Sequence, residues 1–177
     1  KMKLIAERRN KKIYKDGNTL VKVFNHELTP KADVLAEATN YARVEMTGLN
    51  MPHVTQVSKT ETEDWSIATD YIEGKTLQEL IEEDKANKGA YISKFVELQM
   101  EIHSKNCPQL PKMKDKLNSR ISMSGLDATT RYELHMRLEN MPRHLKLCHG
   151  DFNPSNVILG NDGKYYILDW ADRKSVV

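Results

Sequence analysis

The chain has 177 residues, of which 39% are hydrophobic and 29% charged, and its formal net charge is +2. This length allows one domain or two small lobes around a sizeable core. No stretch approaches the roughly 20 consecutive apolar residues of a membrane helix, and no apolar run of a secretory signal follows the basic amino terminus. We therefore expect a globular, soluble protein with no membrane partner.

The two cysteines, Cys107 and Cys148, lie far apart and lack metal-site spacing. Free thiols are typical of a reducing compartment, so we expect a cytoplasmic protein. Residues 1–31 hold nine Lys or Arg against three Asp or Glu. Such a patch attracts phosphate-rich ligands, nucleic acid included, but a solvated hairpin surface also explains it. Because no nucleic-acid-binding motif accompanies the charge, we do not expect a nucleic-acid partner.

The first third of the sequence predicts short strands at Met2–Ala6, Lys11–Tyr14 and Thr19–Phe24. The Asp16-Gly17 pair between the last two favours a tight reversal. Together these segments indicate an antiparallel β unit.

A helix is predicted next. Thr29 can cap its amino terminus, Pro30 suits its first position, and Gly48 ends it. Four apolar residues recur at helical spacing and are predicted to form its buried face: Leu35, Ala38, Ala42 and Met46.

Two further strands, Val54–Ser58 and Trp65–Tyr71, complete the β pattern, and near residue 73 the periodicity becomes helical. Four apolar residues then predict one face of a long helix: Tyr91, Phe95, Leu98 and Ile102. We therefore predict an amino-terminal lobe of residues 1–70, a hinge at 71–75 and a carboxy-terminal lobe of residues 76–177.

The last part of the sequence predicts a charged helix near Thr129–Asn140 and a hairpin of two strands, Val157–Leu159 and Tyr165–Leu168. The turn Gly160–Gly163 joins these strands. Polar residues cluster just outside the hairpin on both sides, which makes its ends the candidate site.

Asn156 and Asp169 flank this hairpin and should lie close together, and Asp151 can overhang the same point. Two carboxylates and an amide oxygen suit Mg²⁺, a cation that prefers oxygen ligands. The carboxylate not bound to metal can orient an attacking hydroxyl and take its proton. Each residue type is also a common turn former, but the joint arrangement favours chemistry.

The segments His149–Asn156 and Ile167–Trp170 resemble the signature of the aminoglycoside phosphotransferase and choline kinase group, whose fold is protein-kinase-like. The resemblance covers nearly the whole chain, with Leu20–Phe24, Ala68–Gly74 and Met100–Ser104 matching further family segments. It implies an α+β fold of two lobes. One is an antiparallel β lobe with one helix, and the other a shortened helical lobe.

The resemblance also implies how the donor, ATP or GTP, is held. Lys22 would grip the α- and β-phosphates, and Glu37 would pair with that lysine. Asp70 and Ile72 would contact the purine edge through their backbone groups. These four positions are therefore the predicted nucleotide-binding residues.

For the transfer step the resemblance implies Asp151 as the catalytic base and Asn156 and Asp169 as Mg²⁺ ligands. His149 would brace the catalytic loop without moving protons. The expected reaction moves the γ-phosphoryl group to a hydroxyl of a small molecule such as an aminoglycoside, an amino alcohol or a sugar derivative.

Two features depart from the group's pattern. The turn Glu7–Asn10 holds no glycine, whereas many kinase-like proteins use a glycine-rich turn so that backbone amides can approach the phosphates. The chain also stops seven residues after Trp170, before the helical region that builds much of the acceptor pocket in relatives. A natural truncation, a fragment and completion by another subunit all account for this, and a truncated chain is expected to self-associate through exposed apolar surface.

These departures leave an alternative: a nucleotide-binding or structural kinase-like protein with little or no catalysis. A basic nucleic-acid-binding module is a third, weaker hypothesis. The sequence decides neither the acceptor nor the choice between ATP and GTP.

Overall fold

A computed structural model describes residues 2–110, 112–142, 145–170 and 174–175. Its amino-terminal part is a five-stranded antiparallel sheet in which the predicted strands are confirmed, with ends shifted by one or two residues. The strands are β1 (Lys3–Arg8), β2 (Lys11–Asp16), β3 (Thr19–Phe24), β4 (Val54–Lys59) and β5 (Trp65–Asp70). Their order in the sheet is β1-β2-β3-β5-β4, which places β3 at the centre.

Helix α1 (Lys31–Glu45) packs on β4 and β5, and of its predicted buried face only Ala38 is confirmed. The buried residues are Val34, Ala38, Tyr41 and Val44. Leu35 and Met46 are 37% and 78% exposed. The helix is rotated by about one residue because this stripe buries Val34 and Ala38 against the sheet and Tyr41 and Val44 against the carboxy-terminal core.

The predicted cap of α1 was also wrong. The cap residue is Pro30, and no side chain caps the helix. The Thr29 hydroxyl instead accepts a hydrogen bond of 3.3 Å from the Asn10 side-chain amide. Thr29 therefore fixes the turn between β1 and β2 to the start of α1.

The remaining helices are α2 (Leu77–Glu83), α3 (Lys88–Ser104), α4 (Met113–Ser122) and α5 (Ala128–Glu139). The apolar face of α3 is confirmed, since Leu98 and Ile102 are buried and Tyr91 and Phe95 pack against the core cluster that contains Leu98. Helix α5 confirms the predicted charged helix, whereas α4 was not predicted.

The remaining strands form two small sheets. The predicted hairpin is β8 (Val157–Gly160) and β9 (Tyr165–Ile167), and it gains a third strand, β6 (Gly74–Thr76). A Cβ atom on Gly74 would lie 2.1 Å from the Leu159 carbonyl oxygen, so the close approach of β6 to β8 requires glycine there. The two-residue strands β7 (Leu147–Cys148) and β10 (Lys174–Ser175) pair with each other.

One core cluster of buried residues joins helix α1 to the carboxy-terminal part of the chain. It includes Tyr41 and Val44 of α1, Ile102 of α3, and Ile167 and Trp170 around β9. The α+β fold class is confirmed, while the division at residues 71–75 stays a prediction. Within the described residues, no helix is long and apolar enough to cross a membrane.

Candidate active site

Strand β3 directs Lys22 toward a cavity between the sheet and the β8–β9 hairpin. The residue is only 7% exposed. Its ammonium nitrogen lies 3.5 Å from Glu37 Oε1 and 3.6 Å from Asp169 Oδ1. A nearly buried cation requires such partners, since desolvation of an unpaired charge is costly. Strand alternation alone left the direction of Lys22 open, and these two carboxylates fix it.

The loop before β8 is anchored by His149, which is 2% exposed. Its Nε2 lies 2.6 Å from the Leu168 carbonyl oxygen, and its Nδ1 lies 3.3 Å from the Asp151 amide nitrogen. Because a carbonyl only accepts and an amide N–H only donates, the proton is on Nε2 and Nδ1 accepts. The imidazole thus ties the loop to the end of β9, which is the bracing role predicted for it.

Asn156 ends a short 3₁₀ turn (Pro154–Asn156) immediately before β8. Its side-chain amide nitrogen donates to the Asp151 backbone carbonyl oxygen at 2.9 Å. The backbone carbonyl oxygen of Asn156 accepts from the Leu168 amide at 2.8 Å. With the amide nitrogen directed at Asp151, the side-chain oxygen Oδ1 is available to a cation. The hairpin therefore brings its two ends together, as the sequence predicts.

Asp169 follows β9 with a backbone φ of 54°. This left-handed region is strained for most residues with a side chain, although Asp and Asn tolerate it better than others. The strand accordingly ends at Ile167, one residue earlier than predicted. The turn aims the Asp169 carboxylate at Lys22, and the side chain stays 47% exposed.

The cavity has a volume of about 290 Å³. Five of the seven predicted site residues line it: Lys22, Asp70, Ile72, Asn156 and Asp169. The other two predicted residues do not line the cavity but contact a residue that does. Glu37 reaches the cavity through Lys22, and Asp151 through Asn156.

The apolar wall of the cavity was missed by sequence reasoning. Its members include Ile13, Leu20, Tyr41, Ile158 and Leu168. A signal existed for Leu20, which stands two residues before Lys22 and so shares its strand face. The sequence held no such signal for Tyr41, because the direction of its side chain depends on the rotation of α1.

The predicted hinge segment forms one end of the cavity. The Asp70 amide donates to the His53 carbonyl at 3.1 Å, and the Tyr71 amide to the Asn18 carbonyl at 2.9 Å. Among the described residues, the backbone of Ile72 makes no hydrogen bond, although the residue lines the cavity. Its amide and carbonyl are therefore available to a ligand.

Lys15 of β2 holds this segment from outside. Its ammonium group forms an ion pair with Glu73 and lies 3.9 Å from the Tyr71 ring centroid. The hydrogen bond to Glu73 raises the pKa of Lys15. The hinge is thus attached to the sheet by a charged group as well as by backbone contacts.

A family comparison agrees with this geometry. The sequence model of the phosphotransferase enzyme family matches residues 6–173. The chain belongs to this family. No curated protein sequence matches this phosphotransferase.

Solved structures with a similar fold include aminoglycoside phosphotransferases. A thermostable mutant of APH(4)-Ia in its apo form superposes with a TM-score of 0.68 at 18% identity, covering 98% of this chain and 67% of that one. APH(2")-IIa in its streptomycin–ATP complex gives 0.59 at 18% identity, with 99% and 67% covered. The GDP complex of wild-type aminoglycoside 2'-phosphotransferase-IIIa gives 0.56 at 16% identity, with 99% and 68% covered. At this identity the structures establish the protein-kinase-like fold.

Proposed function

We propose that this phosphotransferase moves the γ-phosphoryl group of ATP or GTP to a hydroxyl of a small molecule. The observation that carries the proposal is the position of the Lys22 ammonium group. It lies between Glu37 and Asp169 in a cavity that also contains the hinge segment. A cation held at this point can bind phosphates while an apolar wall accepts the base.

The donor would lie with its purine against the hinge and its phosphates toward Lys22. The Asp70 carbonyl and the Ile72 backbone groups would hydrogen-bond the purine edge, and Leu20 and Ile158 would contact its faces. Lys22 would then contact the α- and β-phosphates as a compact point charge. Glu37 would keep the ammonium group in place and neutralise it when no nucleotide is bound.

Asn156 and Asp169 fit the requirements of Mg²⁺. Within the described residues no cluster of three or more His, Cys, Asp or Glu could hold a metal by itself. Mg²⁺ rarely needs one, because it keeps several waters and completes its shell with substrate phosphates. The Asn156 Oδ1 and the Asp169 carboxylate would supply the protein ligands. When bound, the ion would neutralise charge on the phosphoryl oxygens.

Asp151 would act as the catalytic base. Its carboxylate is exposed beside Asn156, and the loop around it is held by His149. The acceptor oxygen would form its bond to the γ-phosphorus as the bond to the β-phosphate oxygen breaks, releasing ADP or GDP. The hydroxyl proton would pass to Asp151. Most of the rate enhancement would come from positioning and charge neutralisation.

The acceptor class is inferred from structural neighbours. One APH(4)-Ia variant was crystallised as a ternary complex with AMP-PNP and hygromycin B, and APH(2")-IIa with streptomycin and ATP. We infer an aminoglycoside, an amino alcohol or a sugar derivative for this chain. These acceptors share a hydroxyl group that Asp151 could orient.

A turnover assay tests the proposal. The chain is incubated with Mg²⁺, ATP or GTP, and a panel of aminoglycosides, amino alcohols and sugars, and nucleoside diphosphate release is measured. Asp151→Asn should lower turnover by about 10²–10⁴-fold, the usual contribution of a positioned base. Asp115→Asn, an exposed carboxylate on α4, is the matched control and should be silent.

Three results separate the alternatives. Nucleotide binding without turnover for any acceptor would favour the non-catalytic kinase-like protein. Equal turnover in Asp151→Asn and the parent would show that the base assignment is wrong. Salt-sensitive binding to unrelated oligonucleotides would instead support the nucleic-acid-binding module.

A further inference from the structure

The hairpin of β1 and β2 presents two basic side chains at the cavity. Arg8 and Lys11 are direct cross-strand partners in the β1–β2 register. Both line the cavity together with Lys22. Arg8 and Lys11 are called the basic pair below.

The register explains why the basic pair reaches the cavity. Side chains alternate between the two faces along a strand. Ala6 and Ile13, two residues away on each strand, also pair with each other and line the cavity. The intervening residues Glu7 and Lys12 form a cross-strand ion pair of 3.5 Å and lie outside that cavity. The basic pair therefore belongs to the cavity face.

Two like charges directly opposite each other destabilise an antiparallel pair. In the part of the chain that the structure describes, neither member of the basic pair contacts a carboxylate; the Lys11 ammonium lies 5.8 Å from the Phe24 ring centroid. In the adjacent Glu7–Lys12 pair, by contrast, two opposite charges face each other across the strands and compensate each other. Uncompensated positive charge beside Lys22 raises the local concentration of anions.

We propose that the basic pair binds the terminal phosphates of the nucleoside triphosphate. This inference rests on the proposed function. The guanidinium of Arg8 can bind phosphate oxygens with two parallel hydrogen bonds, and Lys11 adds a point charge. Side-chain charge thus performs the task that a glycine-rich turn performs with backbone amides, which accounts for the absence of glycine between β1 and β2.

The hairpin turn is fixed in a position that suits this role. The Asn10 side-chain amide donates to Thr29 at 3.3 Å, and the Asn10 carbonyl accepts from the Asn25 amide at 2.9 Å. These bonds attach the turn to the segment that leads into α1. The backbone that carries the basic pair is therefore in place at the cavity before a ligand arrives, which lowers the entropy cost of binding.

A second cavity at the hairpin tip is the competing location for an anion. The basic pair borders it together with Arg9, Lys12 and Asp64. The hydrogen bond from His26 lowers the pKa of Asp64, so this carboxylate stays ionised and repels an anion. The cavity with Lys22 is the favoured site for nucleotide phosphates because it also contains the hinge segment and the apolar wall that would accept the base.

Calorimetric titration of single and double variants tests the inference. The probes are ATP, GTP, AMP, GMP and inorganic tripolyphosphate. Arg8→Gln and Lys11→Gln should each weaken triphosphate binding about tenfold, and the double variant about 100-fold, from the strength of charge-assisted hydrogen bonds. Binding of AMP or GMP should stay within about twofold of the parent, because α-phosphate contacts remain. Lys12→Gln is the matched control and should bind like the parent.

Each outcome supports or overturns the inference. Unchanged ATP or GTP affinity in the double variant would show that the basic pair does not bind the terminal phosphates, while the donor assignment would stand. An equal loss in Lys12→Gln also overturns the inference, because total charge rather than position would then govern binding. If tripolyphosphate binds and nucleotides do not, and the double variant loses that binding, the donor assignment fails and the anion site stands. If no probe binds the parent, both fail. Unchanged melting temperatures show that the variants are folded.

Discussion

The two sides of the cavity are built in different ways. On the hairpin side, Asn156 and Asp169 flank β8 and β9 and are held by bonds among neighbouring segments, such as Leu168 to Asn156. On the sheet side, Lys22 depends on Glu37 from a separate helix. The hairpin side is thus a local structure that a short sequence can specify, whereas the sheet side depends on how α1 packs.

The largest effect is expected from the hairpin side. Asp169→Asn removes a predicted metal ligand and one partner of Lys22, so turnover should fall about 10³-fold. Glu37→Gln leaves Asp169 beside Lys22 and should lower turnover only about tenfold. Steady-state turnover with Mg²⁺ and nucleotide measures both. Equal losses of turnover in the two variants would mean that the hairpin side and the sheet side contribute equally to catalysis, against this expectation.

A smaller effect concerns how the hairpin side is held. His149→Ala removes the bond to the Leu168 carbonyl and leaves the Asp151 amide without its acceptor. Loss of one buried hydrogen-bond partner lowers the free energy of unfolding by about 1–3 kcal/mol, and the cavity left by the imidazole ring lowers it further. Urea unfolding should show this loss. His103→Ala, on the exposed end of α3, is the control and should change stability by less than about 0.5 kcal/mol. A stable His149→Ala protein would contradict the bracing role.

The smallest effect is expected at the sheet side. Thr29→Val removes the acceptor of the Asn10 amide at a partly exposed site, so the free energy of unfolding should fall by about 0.5–1 kcal/mol. If the turn positions the basic pair, triphosphate affinity should fall a few-fold while AMP affinity stays the same. Thermal unfolding and the same calorimetric titration measure the two quantities. Unchanged triphosphate affinity would show that the turn is held without this bond.

Most of the fold followed from local patterns. The strands of the large sheet, the face of α3 and the β8–β9 hairpin depend on alternation, helical spacing and turn residues, which act over short distances. The strands β6 and β7 were missed because each has only two or three residues and depends on a partner far along the chain. Helix α4 was missed in a segment rich in polar residues.

The candidate site divides in the same way. Asp151, Asn156 and Asp169 could be found from their spacing, because a hairpin must bring its own ends together. The positions of Lys22 and Glu37 came only from the family resemblance. Tyr41 and the other apolar residues of the cavity wall needed the rotation of α1, which the sequence predicted wrongly.

By itself the sequence determined the antiparallel sheet, the long helix and the clustering of oxygen-bearing side chains around one hairpin, because these follow from contacts between residues close in the chain. Tertiary structure decided which face of α1 is buried, that Lys22 meets Asp169, and that Arg8 and Lys11 face the same cavity. Those outcomes depend on packing between distant segments. There the burial of apolar area selects among arrangements that local propensity leaves nearly equal in free energy.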